Sequence, residues 1–328
     1  MSEAPGLTPE DIETARERIR GRLPPTPLRR SFALRPHAAW LKLECWQPTG
    51  SFKVRGALHH LLALTGEELR RGVVAASAGG HALGVAWAAQ ELGGSVQADL
   101  FVPESVPGTK LAKLRSFPVT VHVTGATYDD AYDASVAFAE AHGARMIHPY
   151  DDPLTAAGQG SVGLEILEQL PEVGQIVVPV GGGGLIAATA VAVKAKAPHV
   201  RIVAVQAEAS PSLSASLAAG KALHRFEAAP TLADAVAGGI GDLVFRHRAW
   251  IDEVVNVPEA AIEDTIAALL AGDQVVAEGS GALAAAALRG GQIAGDGRPI
   301  ALVVSGGNID ASHLARLLAS RFLAVQTG

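Results

Sequence analysis

The sequence predicts an α/β protein built on parallel sheets with helices on both faces. Three observations point there. Short apolar runs of strand length recur at Trp40 to Glu44, Val73 to Ala76, Leu100 to Val102, Val119 to Val123, Arg145 to Ile147, Ile176 to Val180, Ile202 to Val205 and Ile300 to Val304. The connections between them are long enough to hold a helix, which parallel neighbours require. Several runs end in glycine-rich turns where a helix pattern begins, as in strand–turn–helix units. A length of 328 residues suits roughly two domains. The expected division is a small domain over residues 68–149 and a large one over 1–67 and 150–328.

Each element has a local cause. Thr8-Pro9-Glu10-Asp11 starts the first helix with a hydroxyl cap, Pro at the first position and acids in the first turn. That helix must end before Pro24, Pro25 and Pro27. A strand near Trp40 runs into the turn Gln47-Pro48-Thr49-Gly50, and a helix follows from about Ser51. The strand Val73 to Ala76 leads through Gly79-Gly80 to a helix from His81. The clearest helix runs from Thr127 to Ala141. In the second half, an alanine-rich helix joins the strands at Ile176 and Ile202. A terminal helix follows Ser305-Gly306-Gly307-Asn308.

Composition excludes several classes. Hydrophobic residues are 48% and charged residues 18%, a folded rather than disordered balance. Lys+Arg 27 against Asp+Glu 33 gives −6, which disfavours a nucleic-acid partner that needs a basic face. No uninterrupted apolar run reaches the ~18 residues a membrane helix needs. The N-terminal stretch lacks the apolar segment of a signal peptide. Cys45 is the only cysteine, so no internal disulfide or multi-cysteine zinc site can form, and it reads as a small core residue. A cytoplasmic protein that acts on a small molecule is expected, with no membrane partner and no metal.

Four stations could carry chemistry. Lys53 sits in the first turn of the helix after Pro48-Thr49-Gly50. Burial and a positive surround would favour its neutral, nucleophilic amine; the alternative is an ordinary surface lysine. Gly181-Gly182-Gly183-Gly184-Leu185 follows a strand and opens a helix, so its backbone can close on an anion such as a phosphate. A tight turn is the plainer reading. A loose Gly-x-Gly-x-x-Ala match from Gly182 to Ala187, with Glu208 further on, also keeps a dinucleotide site open. Ser77-Ala78-Gly79-Gly80-His81 offers a second nest of backbone donors, suited to a carboxylate; His81 reads as a ligand, an acid or a packed residue. Ser305, at the end of the last strand, points a hydroxyl toward the usual crevice of a parallel sheet or caps the next helix. Pyridoxal phosphate with an amino acid gives all four a task. A nicotinamide dinucleotide leaves Lys53 and Ser305 without one.

The chain resembles the fold-type II pyridoxal-phosphate enzymes, in particular the threonine/serine dehydratase and serine racemase family. The resemblance spans about residues 10 to 320. It rests on Ser51-Phe52-Lys53-Val54-Arg55-Gly56-Ala57, on His148-Pro149-Tyr150-Asp151-Asp152-Pro153 with Ala157-Gly158-Gln159-Gly160, on the Gly181 to Leu185 turn, and on Ser305-Gly306-Gly307-Asn308. It implies a two-domain fold like that of the tryptophan synthase β chain, with the larger domain binding the cofactor. It implies Lys53 as the Schiff-base lysine, Phe52 beside the cofactor, and Gly181, Gly182, Gly183, Gly184 and Leu185 around its phosphate. Ser305 would meet the ring nitrogen, and Ser77, Ala78, Gly79 and His81 the substrate carboxylate. A homodimer is the family expectation.

Some residues depart from the family pattern. Ala78 stands where racemases place a serine that handles the proton opposite the lysine. Gly80 replaces an asparagine that meets the ring hydroxyl, and Leu83 replaces a glutamine. Ala235 follows Ala233-Asp234 where glycine is common, and Gln206 stands where relatives often place a carboxylate metal ligand. The reaction expected is β-elimination from L-threonine or L-serine, giving a 2-oxo acid and ammonia, with little racemisation. A dehydratase for a bulkier β-hydroxy amino acid, or a cofactor-binding protein with little catalysis, are the alternatives.

Overall fold

A computed structural model describes residues 6–77, 79–93 and 96–322. Its strands are β1 (Leu28–Arg30), β2 (Ala39–Lys42), β3 (Val73–Ala76), β4 (Ala98–Val102), β5 (Thr120–Val123), β6 (Arg145–Met146), β7 (Gln175–Pro179), β8 (Arg201–Ala207), β9 (Glu253–Val257) and β10 (Ile300–Val303). They form a six-stranded sheet in the order β1-β2-β10-β7-β8-β9 and a four-stranded sheet in the order β5-β4-β3-β6. All pairs in the smaller sheet are parallel. The larger sheet is mixed, because β1 runs antiparallel to β2.

Every residue of β3, β4, β7 and β10 is buried. Strands covered on both faces read as short, nearly continuous apolar runs, with buried Asp99 in β4 and Gln175 at the start of β7 as polar members. Helices cover both faces of the large sheet, and two apolar clusters fill the layers. One includes Val177, Val203, Leu283 and Leu302, the other Ile176, Val178, Ile186 and Val303. A third cluster, with Val73, Leu100, Val54 and Leu58, joins the small sheet to the helix Lys53–Ala63.

That helix lies hard against the helix Pro153–Gln169. A Cβ on Gly56 would fall 2.3 Å from the Thr155 carbonyl, and one on Gly158 would fall 2.6 Å from Gly56 Cα. Glycine at both positions lets the two backbones touch, which fixes the height of Lys53 above the large sheet. Caps follow the sequence. Thr8 and Thr127 close capping boxes with Asp11 and Asp130, and Asp152 accepts from Thr155 N at 2.9 Å. Among the described residues, no helix is long and apolar enough to cross a membrane.

Candidate active site

The carboxyl ends of β3, β7 and β10 face a cavity of ≈ 780 Å³. Parallel strands leave their ligand crevice at this edge. Phe52, Lys53, Ser77, Gly79, Gly80, Gly181 to Leu185 and Ser305 all line it. The structure therefore brings three of the four stations together whole, and the Ser77 to His81 loop in part.

Lys53 reaches the cavity because its segment is laced to the end of β10. Ser51 forms a β-bridge with Gly306. Phe52 N–H donates to the Ser305 carbonyl at 3.1 Å, and Gly307 N–H to that of Gly50 at 2.9 Å. Asn308 Nδ2 donates to the Thr49 carbonyl at 2.9 Å. Gly50 has φ +76, and a Cβ there would lie 2.6 Å from Asn308 Oδ1, so the Pro-Thr-Gly turn needs its glycine. The amine's pKa is lowered from the ordinary lysine value, chiefly by burial and further by Lys110. Glu278 and Asp234 oppose the shift. The net direction is toward the neutral, nucleophilic form.

Below Lys53, the same helix is held by a buried ionic network. Arg55 donates to Glu44 from Nε at 2.7 Å and Nη2 at 2.8 Å, and to Glu165 from Nη1 at 2.6 Å and Nη2 at 2.8 Å. Lys42 Nζ donates to Glu165 at 2.6 Å. All four side chains are buried, and their formal charges cancel.

The turn from Gly181 to Leu185 leads into the helix Gly184–Lys196, with Gly183 as N-cap at φ +95. The first N–H groups of any helix have no partner within it, and its dipole favours an anion there. Packing also demands these glycines. A Cβ on Gly182 would lie 2.1 Å from the Tyr150 ring, and one on Gly184 2.6 Å from the Tyr150 carbonyl. Ser305 Oγ donates to the Ser280 carbonyl at 3.4 Å, a long bond that leaves its hydroxyl able to turn to a ligand.

In the second loop, Gly79 N–H donates to Ser77 Oγ at 3.1 Å, and the helix Gly80–Glu91 opens at Gly80. Ala78 lies outside the described residues. The His81 side chain is not part of the cavity wall. Its Nε2 meets the Ile147 carbonyl at 2.8 Å, and burial brings its pKa down to about 3. Of the three readings left open for His81, the packed residue holds. Only its backbone N–H, in the first turn, remains for a carboxylate.

Other expectations resolve plainly. Cys45 is buried with its thiol pushed up to about 12, mainly by burial, so it is no nucleophile at neutral pH. Glu208 is exposed and does not line the cavity, which removes the ribose contact from the dinucleotide reading. Gln206 is buried. Its Oε1 accepts from Ser214 N at 3.1 Å, and its Nε2 donates to Ser212 Oγ at 3.3 Å. Among the described residues, Asp151, His224 and Asp242 bring potential ligand atoms within 4.8 Å of one another, although Asp151 Oδ1 already accepts from Leu243 N.

Several cavity residues escaped the sequence reading. Lys110 and Asp234 pair at 3.4 Å and both line the cavity. Tyr128 and Tyr150 form part of its wall. Lys110 and Asp234 look like ordinary surface charges in sequence. Tyr150 did carry a signal, since it lies inside the His148 to Pro153 motif.

A phosphate-bearing aldehyde fits these residues. The cavity offers one amine shifted toward neutrality, one side-chain-free turn at a helix start, and one hydroxyl.

The family model for pyridoxal-phosphate dependent enzymes matches residues 19–306. A curated relative, the L-threonine ammonia-lyase of Thermotoga maritima, is 44% identical over 317 residues, covering 95% of this chain and 78% of its own. Among solved structures, maize serine racemase superposes with a TM-score of 0.88 at 32% identity, covering 98% of this chain and 100% of its own. A threonine deaminase from T.th. gives a TM-score of 0.85 at 39% identity, covering 93% of this chain and 99% of its own.

Proposed function

The chain belongs to the pyridoxal-phosphate dependent enzymes, and from that membership we propose that it removes water and ammonia from L-threonine or L-serine to give a 2-oxo acid. The convergence of Lys53, the Gly181–Leu185 turn and Ser305 on one cavity carries this reading. The relatives at 44% and 39% identity, a threonine ammonia-lyase and a threonine deaminase, support the substrate class.

Pyridoxal phosphate, when bound, supplies an electron-withdrawing ring that acidifies the substrate Cα–H. The remaining work falls to this chain. The Gly181 to Leu185 backbone N–H groups and the helix start behind them hold the phosphate. Ser305 Oγ would donate a hydrogen bond to the ring nitrogen, and Phe52 would pack beside the ring. The backbone N–H groups at Gly79, Gly80 and His81, with Ser77, receive the substrate carboxylate. Lys53 Nζ would anchor the cofactor and, as a free amine, would take the Cα proton and pass it to the departing β-hydroxyl, so that water leaves. A hydroxyl at the ring nitrogen, rather than a carboxylate, leaves that nitrogen without a full charge partner.

The proposal extends to organisation. Residues 1–67 and 150–328 form the large, cofactor-binding domain and residues 68–149 the small one. The protein works in the cytoplasm as a homodimer. Phe32, Trp46 and Val276 are exposed apolar residues that support a dimer surface. Sedimentation at micromolar concentration would read the dimer. The function itself is tested by 2-oxo acid release from a panel of L-amino acids. L-threonine and L-serine should lead. A bulkier β-hydroxy amino acid turned over faster would overturn the substrate assignment.

A further inference from the structure

We propose that Glu278 is a positioning residue that sets the charge on Lys53 from behind the Ser305–Asn308 turn. The inference rests on the reading of Lys53 as the cofactor-binding amine.

Glu278 is the N-cap of the helix Gly279–Arg289. Its backbone N–H donates to the Gly306 carbonyl at 3.1 Å. Its carboxyl folds back onto the same turn. A Cβ on Gly306 would lie 2.1 Å from Glu278 Oε1, so the glycine at 306 is what admits the carboxyl. Gly306 is in turn bridged to Ser51, two residues before Lys53. The carboxyl is thus seated at the junction of the segments that carry Lys53 and Ser305.

The groups that bear on it come from four directions. Lys53 and Lys110, on the helix Gly108–Arg115, stabilise its charge; Asp234, on the turn Asp234–Val236, opposes it. The Cys45 thiol feels its field and stays neutral. Burial and Asp234 together raise the Glu278 pKa to about 7, against the pull of Lys110 and Lys53. Lys53 is lowered by burial while Glu278 raises it. Each charge therefore favours the other. When Glu278 is ionised, it holds a proton on Lys53. When Glu278 is protonated, Lys53 releases its own more readily. Such a partner suits an amine that must be neutral to attack and must then keep a proton it has taken.

The test measures the reactivity of the Lys53 amine in the full chain freed of cofactor, by amine labelling across pH and peptide mass spectrometry. The wild-type curve should show two inflections, one of them near 7, the value expected for Glu278. Glu278→Gln should remove that inflection and lower the Lys53 pKa by about half a unit to one unit, roughly a three- to tenfold gain in labelling below the pKa. Glu278→Asp, which keeps the charge, should restore most of the wild-type curve. A wild-type curve with one inflection overturns the proposal, as does a Glu278→Gln curve that matches wild type. Equal shifts in the Gln and Asp variants would make the role one of packing, not charge. None of these readings depends on turnover, so they stay separate from the fate of the functional assignment.

Discussion

Replacing Arg55 by Met should cost the folded protein about 3–5 kcal/mol at neutral pH, the loss typical of breaking a buried ion pair on one side. The guanidinium gives four hydrogen bonds to Glu44 and Glu165 and a fifth, at 3.0 Å, to Ser161. Without it, two buried carboxylates face Lys42 alone. The Glu44 shift points the same way. Burial would raise its pKa, yet Arg55 and Lys42 hold it down at about 2 rather than the usual 4.5. The sign also sets a pH dependence. A depressed carboxylate stabilises the wild type above about pH 4.5, and that contribution fades as pH falls toward 2. In the Met variant, burial acts unopposed by Arg55 and raises the acid's pKa, so protonation in mild acid relieves the penalty. Urea unfolding of both proteins across pH reads the difference. The gap should be widest at neutral pH and should narrow toward pH ~4–5. A loss below about 1 kcal/mol, or a gap unchanged by pH, would refute the argument.

Other outcomes follow from the cavity wall. Gly182→Ala should weaken pyridoxal phosphate binding at least tenfold in a dissociation titration, because the new Cβ would meet the Tyr150 ring at 2.1 Å; wild-type affinity would place the phosphate elsewhere. Gly80→Asn would install the asparagine that the family resemblance implies there, but its Cβ would fall 2.6 Å from Ser51 Oγ. We expect cofactor occupancy and threonine turnover to fall rather than rise, and a gain in turnover would show that Ser51 yields. D-serine formation from L-serine should be far slower than pyruvate formation, since Ala78 has no proton donor. Comparable rates, read by chiral chromatography, would contradict this.

Much of the scaffold was legible because it is buried on both faces. β3, β7 and β10 are nearly continuous apolar runs, and such runs admit few other readings. β1 and β9 lie at the edges of the large sheet. The pattern of β1 is half-buried Leu28 and exposed Arg29 and Arg30, which carries no period. Lys53 and the glycine turn were visible because unusual residues mark them at strand–helix junctions. What lies around them was not. Glu165 is 110 positions from Arg55, and Glu278 nears the Lys53 segment only after β10 and the Ser51 bridge bring the segments together. His81 shows the converse: a histidine beside a functional loop whose ring packs inward to the Ile147 carbonyl. Charge partners depend on long-range closure, and local pattern holds no record of it.

The central claim is that Lys53 is the residue to which pyridoxal phosphate attaches. Borohydride reduction of the cofactor-loaded protein fixes the carbon–nitrogen link, and peptide mass spectrometry then locates it among seven lysines. The account predicts the label on the peptide holding Lys53, with Lys53→Ala losing both the visible absorbance and 2-oxo acid release. A label on any other lysine, or turnover retained by Lys53→Ala, would contradict it.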